Sequence, residues 1–146
     1  MSYLIDTNVL LRLAQPKNPD QREARRALGI LRRQPEFLGI IPQNLIEFWA
    51  VATRPAAYNG LDLTVDETAR QISKLKALFT LLPDSSTVFH EWEQLVVKHQ
   101  VLGKQAHDAR LVAAMTVNKL THILTFNTRD FKRYDTITAV DPSSVQ

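Results

Sequence analysis

The chain has no cysteine, which excludes disulfides, thiolate zinc sites and cysteine nucleophiles at once. It has no apolar run near the ~18 residues of a membrane span. The opening Met1-Ser2-Tyr3-Leu4-Ile5-Asp6 lacks the basic start and apolar stretch of a secretory signal. Internal repeats, low-complexity segments and linkers are also missing. These absences lead us to expect a soluble cytoplasmic protein without a membrane role, folded as one domain over residues 1–146. Its 45% apolar share is ordinary, and a chain of this size buries roughly 70% of its unfolded surface, enough to fold without cross-links.

Strand and helix signals alternate along the chain. Tyr3-Leu4-Ile5 reads as a short buried strand, bounded by Asp6-Thr7-Asn8 and a helix starting at about Val9. Asn18-Pro19 is a cap-and-first-turn signal for a second helix. On it Ala24, Ala27, Leu28 and Leu31 form an apolar stripe, with Arg22, Arg25, Arg26, Arg32 and Arg33 largely off it. Phe37 to Ile41 reads as a strand ended by Pro42, and a helix follows to about Thr53. The stretch Arg54 to Leu63 is loop-like. Thr64-Val65-Asp66-Glu67 has the form of a capping box, so a helix is expected from there to about Phe79. A short strand at Leu81-Leu82-Pro83, helices over Ser86–Gln100 and Gln105–Asn118, and strands over His122–Thr125 and Thr136–Val140 complete the series. This alternation predicts a three-layer α/β/α sandwich around a mainly parallel sheet.

Ligands of open α/β sheets bind beyond the carboxyl ends of the strands, so the acids expected there are the candidates for chemistry. Asp6 follows the first strand, where it also suits a helix N-cap. Glu47 is the only charged residue from Gln43 to Thr53, on a helix apolar nearly all round and therefore expected to be buried. A buried lone carboxylate is costly unless paired, for example with Arg54, or bound to a metal. Asp108 shares a helix face with Val112 and Met115 and is expected to point inward; stabilisation of an early acid by the helix dipole is the plainer account. Asn127-Thr128-Arg129-Asp130 follows a late strand, where turn chemistry alone favours Asn and Asp. One explanation covers all four acids: they converge on a cation. Eighteen basic side chains would then face only eleven acids elsewhere, a surface balance of +7 suited to a polyanionic substrate.

Asp6-Thr7-Asn8 after an N-terminal strand, Glu47 in its apolar helix, His107-Asp108-Ala109, and Thr125…Asn127-Thr128-Arg129-Asp130-Phe131 together resemble the PIN-domain ribonucleases, over essentially the whole chain. The compact size and the Asn127-to-Phe131 ending are similar to VapC-type toxins of type II toxin–antitoxin pairs. The resemblance implies that Asp6, Glu47 and Asp108 take the places of the family's invariant acids. The fourth place goes to Asp130, or, if Asp130 pairs structurally with Phe131, to Asn127 or Thr128; Thr7, Asn127 and Thr128 are supporting residues. It also implies Mg²⁺ or Mn²⁺, a homodimer, and an antitoxin whose C-terminal tail covers the site. Chemistry of this kind needs oxygen ligands, because hard cations prefer them and Mg²⁺ touches only one or two carboxylates while keeping several waters. The bound cation makes water more acidic and polarises phosphate, and the resemblance implies in-line attack by that water that leaves 5′-phosphate and 3′-hydroxyl ends.

RNA contacts are expected from the rim. Arg129, Lys132 and Arg133 neighbour the late acids, with Phe131 and Tyr134 interleaved as candidates for base stacking or core packing. A basic face on the Arg-rich helix (Arg22, Arg25, Arg26, Arg33) is more simply a solvated surface. A haloacid-dehalogenase-type phosphatase needs a second Asp where this chain has Asn8, and a receiver domain needs an acidic pair that is absent. The remaining alternative is a catalytically silent PIN-like module that binds RNA or an antitoxin.

Overall fold

Short β-branched and leucine-rich runs alternate with amphipathic ones, and the computed structural model, which describes residues 1–146, folds them in that order. The strands are β1 (Ser2–Ile5), β2 (Phe37–Ile40), β3 (Thr80–Leu81), β4 (His122–Leu124) and β5 (Thr138–Val140). The helices are α1 (Thr7–Leu13), α2 (Gln21–Arg33), α3 (Pro42–Thr53), α4 (Val65–Leu78), α5 (Ser86–Lys98) and α6 (Gln105–Val117). The sheet order is β3-β2-β1-β4-β5 with every pair parallel. Helices cover both faces, which is the α/β/α sandwich expected. No helix is long and apolar enough to cross a membrane.

Alternation along each strand feeds two cores. Tyr3, Ile5, Ile40 and Leu124 pack with residues of α1, α2, α3 and α4. Leu4, Ile41 and Ile123 face the other way, onto Val88 of α5 and the buried residues of α6. Leu4, Ile5, Ile123 and Leu124 are completely buried, and burying each such side chain is worth about 1.5–3 kcal/mol.

Four expectations need correction. α1 begins at Thr7, because Asp6 caps it: the Asp6 carboxylate accepts the Thr7 N–H at 2.7 Å and its carbonyl accepts from Val9 and Leu10. α2 begins at Gln21, because Asn18 Oδ1 accepts the Asp20 N–H at 2.9 Å within a turn and so is not the cap. α3 is not buried all round; Ile46 and Trp49 stand at its solvent face. The helix enclosed nearly all round is α6, where Leu111 to Met115 are all buried between α5 and the sheet. Finally, Tyr134 is buried with Phe131 and packs edge-on against His99, so neither ring is free to stack on a base.

Two predicted punctuation signals do act as expected. Pro42 occupies the first turn of α3, where its missing N–H costs nothing. Thr64 Oγ1 accepts the Glu67 N–H at 3.1 Å while Glu67 Oε2 accepts the Thr64 N–H at 3.0 Å, starting α4.

Candidate active site

β1 sits in the middle of the sheet, with the chain leaving it to β2 on one side and reaching β4 on the other. Polar residues just past the ends of β1 and β4 therefore flank the crevice where parallel sheets bind ligands. A cleft of about 360 Å³ opens there. Asp6, Glu47, Asp108 and Asp130 all line it, with Thr7, Asn8, Asn127 and Arg54 among its walls. None of the four acids takes part in an ion pair. Arg54, proposed above as a partner of Glu47, reaches the cleft without pairing to it.

Asp6 is buried at the floor. One carboxylate oxygen accepts the Thr7 N–H; the other accepts the Thr125 hydroxyl at 2.7 Å and, more weakly, Asn8 Nδ2 at 3.4 Å. Asn8 also donates to Thr125 Oγ1 at 3.1 Å and accepts the Phe126 N–H at 3.2 Å, stitching the end of β1 to the end of β4. Asp6 and Thr125 are 119 residues apart in sequence.

Glu47 is half-buried on α3, in contrast to the deep burial expected of it. Its Oε1 accepts the Thr7 hydroxyl at 2.8 Å and its Oε2 accepts from Gln43 Nε2 at 3.3 Å. Thr7 is held in turn by Asn44, whose Nδ2 donates to the Thr7 hydroxyl oxygen at 3.2 Å while its Oδ1 accepts the Ile41 N–H at 3.0 Å. Asp108 lies half-buried in the first turn of α6, and Asp130 stands exposed at the mouth in the turn after β4.

Burial pushes the Asp6 carboxyl up to about 6; its bonds to Thr125 and Thr7 pull it down, and the charges of Glu47 and Asp108 push it further up. Asp108 is also pushed up to about 6, by burial first, then by Asp130 and Glu47, against the lowering influence of His107 and Lys104. Like charges held together in low dielectric raise each other in this way, and a nearby cation reverses the effect.

The donor set fits a hard divalent cation. It is all oxygen, it carries excess negative charge, and the low-lying Asp6 is fixed by three donors. The acids do not, however, close into a compact cage of three direct ligands. An ion here would be bound by one or two carboxylates, with the others holding its waters.

Of the supporting residues, Thr7 and Asn127 are brought to the cleft; Thr128 is not, and lies by Phe131 and Lys132 on a neighbouring surface. The candidate RNA-binding cations Arg129, Lys132 and Arg133 are exposed, and none of them lines the cleft; Lys132 lines the neighbouring surface that holds Thr128. Arg133 donates to the His99 carbonyl and to Gln105 Oε1, at 3.3 and 3.1 Å. On the Arg-rich helix, Arg26 binds the Val145 and Pro142 carbonyls at 2.7 and 2.9 Å, pinning the end of the chain to α2. The reading from sequence included Asn8 and Thr125 in its motifs but gave them no role, and it gave none to Gln43, whose only signal was a polar side chain on an apolar helix.

The PIN domain family model matches residues 3–137. Among solved structures, VapBC2 from Rickettsia felis, bound to a DNA fragment from its promoter, superposes with a TM-score of 0.74 at 13% identity, covering 97% of this chain and 98% of that one. DNA-bound VapBC from Salmonella typhimurium gives 0.71 at 16%, with the same coverages of 97% and 98%. VapC20 from Mycobacterium tuberculosis, a sarcin-ricin loop cleaving toxin, gives 0.63 at 14%, covering 83% and 86%. At such identities the likeness is one of fold. No curated protein matches by sequence.

Proposed function

The chain belongs to the PIN domain family, and on that premise we propose that it is a metal-dependent endoribonuclease acting as the toxin of a toxin–antitoxin pair. The observation that carries this reading is the set of four unpaired acids, Asp6, Glu47, Asp108 and Asp130, along one cleft at the carboxyl end of the sheet. The chain's fold neighbours include VapBC complexes from Rickettsia felis and Salmonella typhimurium, a toxin–antitoxin complex from Klebsiella pneumoniae and a sarcin-ricin loop cleaving toxin from Mycobacterium tuberculosis; these support the same reading.

Mg²⁺ or Mn²⁺ would be held by Asp6 and Asp108, with Glu47 and Asp130 orienting its waters, and would supply an acidic water and a polarised phosphate oxygen. The chain's own share is positional. Thr125, Thr7 and Asn8 fix the Asp6 carboxylate, Thr7 and Gln43 fix that of Glu47, and Asn127 stands beside Asp130 at the entrance. Arg54 is the basic side chain of the cleft wall, and in this reading it meets a phosphate of the substrate. Arg129, Lys132 and Arg133 extend the basic rim. On the α3–α4 side, Leu45, Ile46, Trp49, Ala69 and Ile72 line an open apolar groove of about 530 Å³. Such a surface suits a protein partner, either the antitoxin or a second copy in a homodimer.

Mapping cleavage ends across total RNA with Mg²⁺ or Mn²⁺ tests the proposal. Discrete 5′-phosphate ends are expected with the wild type, and loss of cutting by at least a hundredfold in Asp6→Asn, Glu47→Gln and Asp108→Asn, with the fold retained. Full activity in any two of these variants overturns the site. A Mn²⁺-induced rise in melting temperature that disappears in Asp6→Asn is the companion measurement. Metal and RNA binding with no cutting would identify the silent module instead.

A further inference from the structure

Behind Glu47, the buried side chain of Gln43 uses every polar atom it has. Its Nε2 donates to the His107 carbonyl at 2.8 Å and to Glu47 Oε2 at 3.3 Å, and its Oε1 accepts from the Arg110 guanidinium at 3.0 Å. The other terminal amine of Arg110 lies 3.3 Å from Asp84, in the loop before α5. The orientation of the amide is fixed by chemistry. A guanidinium offers only donors, while a carboxylate and a carbonyl offer only acceptors, so the oxygen must face Arg110 and the nitrogen must face Glu47 and His107.

The geometry points to Gln43, backed by Arg110, as a positioning residue that orients the Glu47 carboxylate and sets its distance from Asp108. This inference rests on the reading of the cleft as a metal-dependent nuclease site. Glu47 belongs to α3, and Asp108 follows directly on the carbonyl of His107 in the first turn of α6. One amide therefore ties the two carboxylate-bearing helices together at the level of the cleft. Its neutrality is useful. An arginine placed directly on Glu47 would cancel the charge that a cation needs, whereas a glutamine between them passes on orientation and leaves that charge intact. Residues that hold a ligand's carboxylate by hydrogen bonds influence metal affinity through that ligand.

The test is Mn²⁺ binding by titration calorimetry, with cleavage kinetics on an oligoribonucleotide, for the wild type, Gln43→Met, Arg110→Met, Glu47→Gln and the Gln43→Met/Glu47→Gln double variant. Methionine keeps the bulk of glutamine without its hydrogen bonds. Gln43→Met is expected to weaken Mn²⁺ binding on the order of tenfold and to lower kcat with KM held. In the Glu47→Gln background it should weaken Mn²⁺ binding no further, because its effect passes through Glu47. Wild-type Mn²⁺ affinity and kcat in Gln43→Met, or additive losses in the double variant, overturn the inference. Should Gln43→Met fail to fold, Arg110→Met decides: a smaller loss in the same direction supports the inference, and unchanged binding and kcat overturn it. A wild-type protein that takes up no Mn²⁺ defeats the metal reading itself, and this inference with it. Mn²⁺ uptake that Gln43→Met leaves unmoved sinks the inference alone.

Discussion

Asp6 caps α1, and the role proposed for it makes a competing demand. As the cap it needs only a hydrogen-bond acceptor, which an asparagine would also provide; to bind a cation, as proposed, it would need a charge, and burial resists that charge. Its folded-state value of about 6 lies above the 3.8 of an unperturbed Asp, as does that of Asp108. Between about pH 4 and 6 the metal-free native protein thus holds more protons than its unfolded chain. The stability that the neutral carboxyls confer is complete below about pH 4 and is lost as pH rises through about 6. For Asp6 alone the loss is on the order of 3 kcal/mol by pH 7.5. Asp6→Asn should therefore gain stability over the metal-free wild type as pH rises from 4 to 7.5. Urea midpoints across that range measure it, and a constant difference would refute it. At this scale Glu47 was legible as a lone charge among apolar residues, whereas Asp6, Asp108 and Asp130 were read from their places after strands, on a helix face and in a turn. The role of Thr125 was not legible, since a threonine ending a strand looks the same whether or not its hydroxyl holds a carboxylate.

Elements were legible where a local signal determines them. The capping box at Thr64 is one such signal, and Thr64→Ala should cost about 1 kcal/mol, read as a lower urea midpoint with unchanged cleavage at saturating RNA. The loop between α3 and α4 depends on a contact that no local pattern displays. A Cβ at Gly60 would lie 1.8 Å from the Arg54 carbonyl oxygen, so Gly60→Ala must displace the backbone of the one basic residue in the cleft wall. That variant should lose RNA affinity together with stability, measured by filter binding alongside the melt. α3 and α6 show why burial was harder to read. Both are rich in apolar residues, yet α6 lies between α5 and the sheet while α3 keeps Ile46 and Trp49 toward solvent. Neighbours decide burial, and neither sequence names its neighbours.

Across the whole molecule, alternation of strand and helix signals was sufficient to predict the sandwich, because parallel strands require crossovers and crossovers of this length are helices. The distribution of charge was only partly readable. Negative charge collects in the cleft and positive charge outside it, but Arg26, Arg110 and Arg133 are engaged with backbone or side-chain partners. Arg129 and Lys132 are exposed without such partners, and Arg133 is exposed although it donates to His99 and Gln105. Reversing Lys132 and Arg133 to Glu should weaken RNA binding and flatten the dependence of log affinity on log salt by about 1.4, two contacts on single-stranded RNA. An unchanged slope would remove that face from the interface.

The bond from Asp6 to Thr125 also has a consequence for how the cleft forms. Asp6 and Thr125 lie 119 residues apart in sequence, so the carboxylate gains this partner only once β4 has docked beside β1. A chain lacking that late strand could form the first helix cap but not the polar floor of the cleft, because the contact closes a loop of more than a hundred residues.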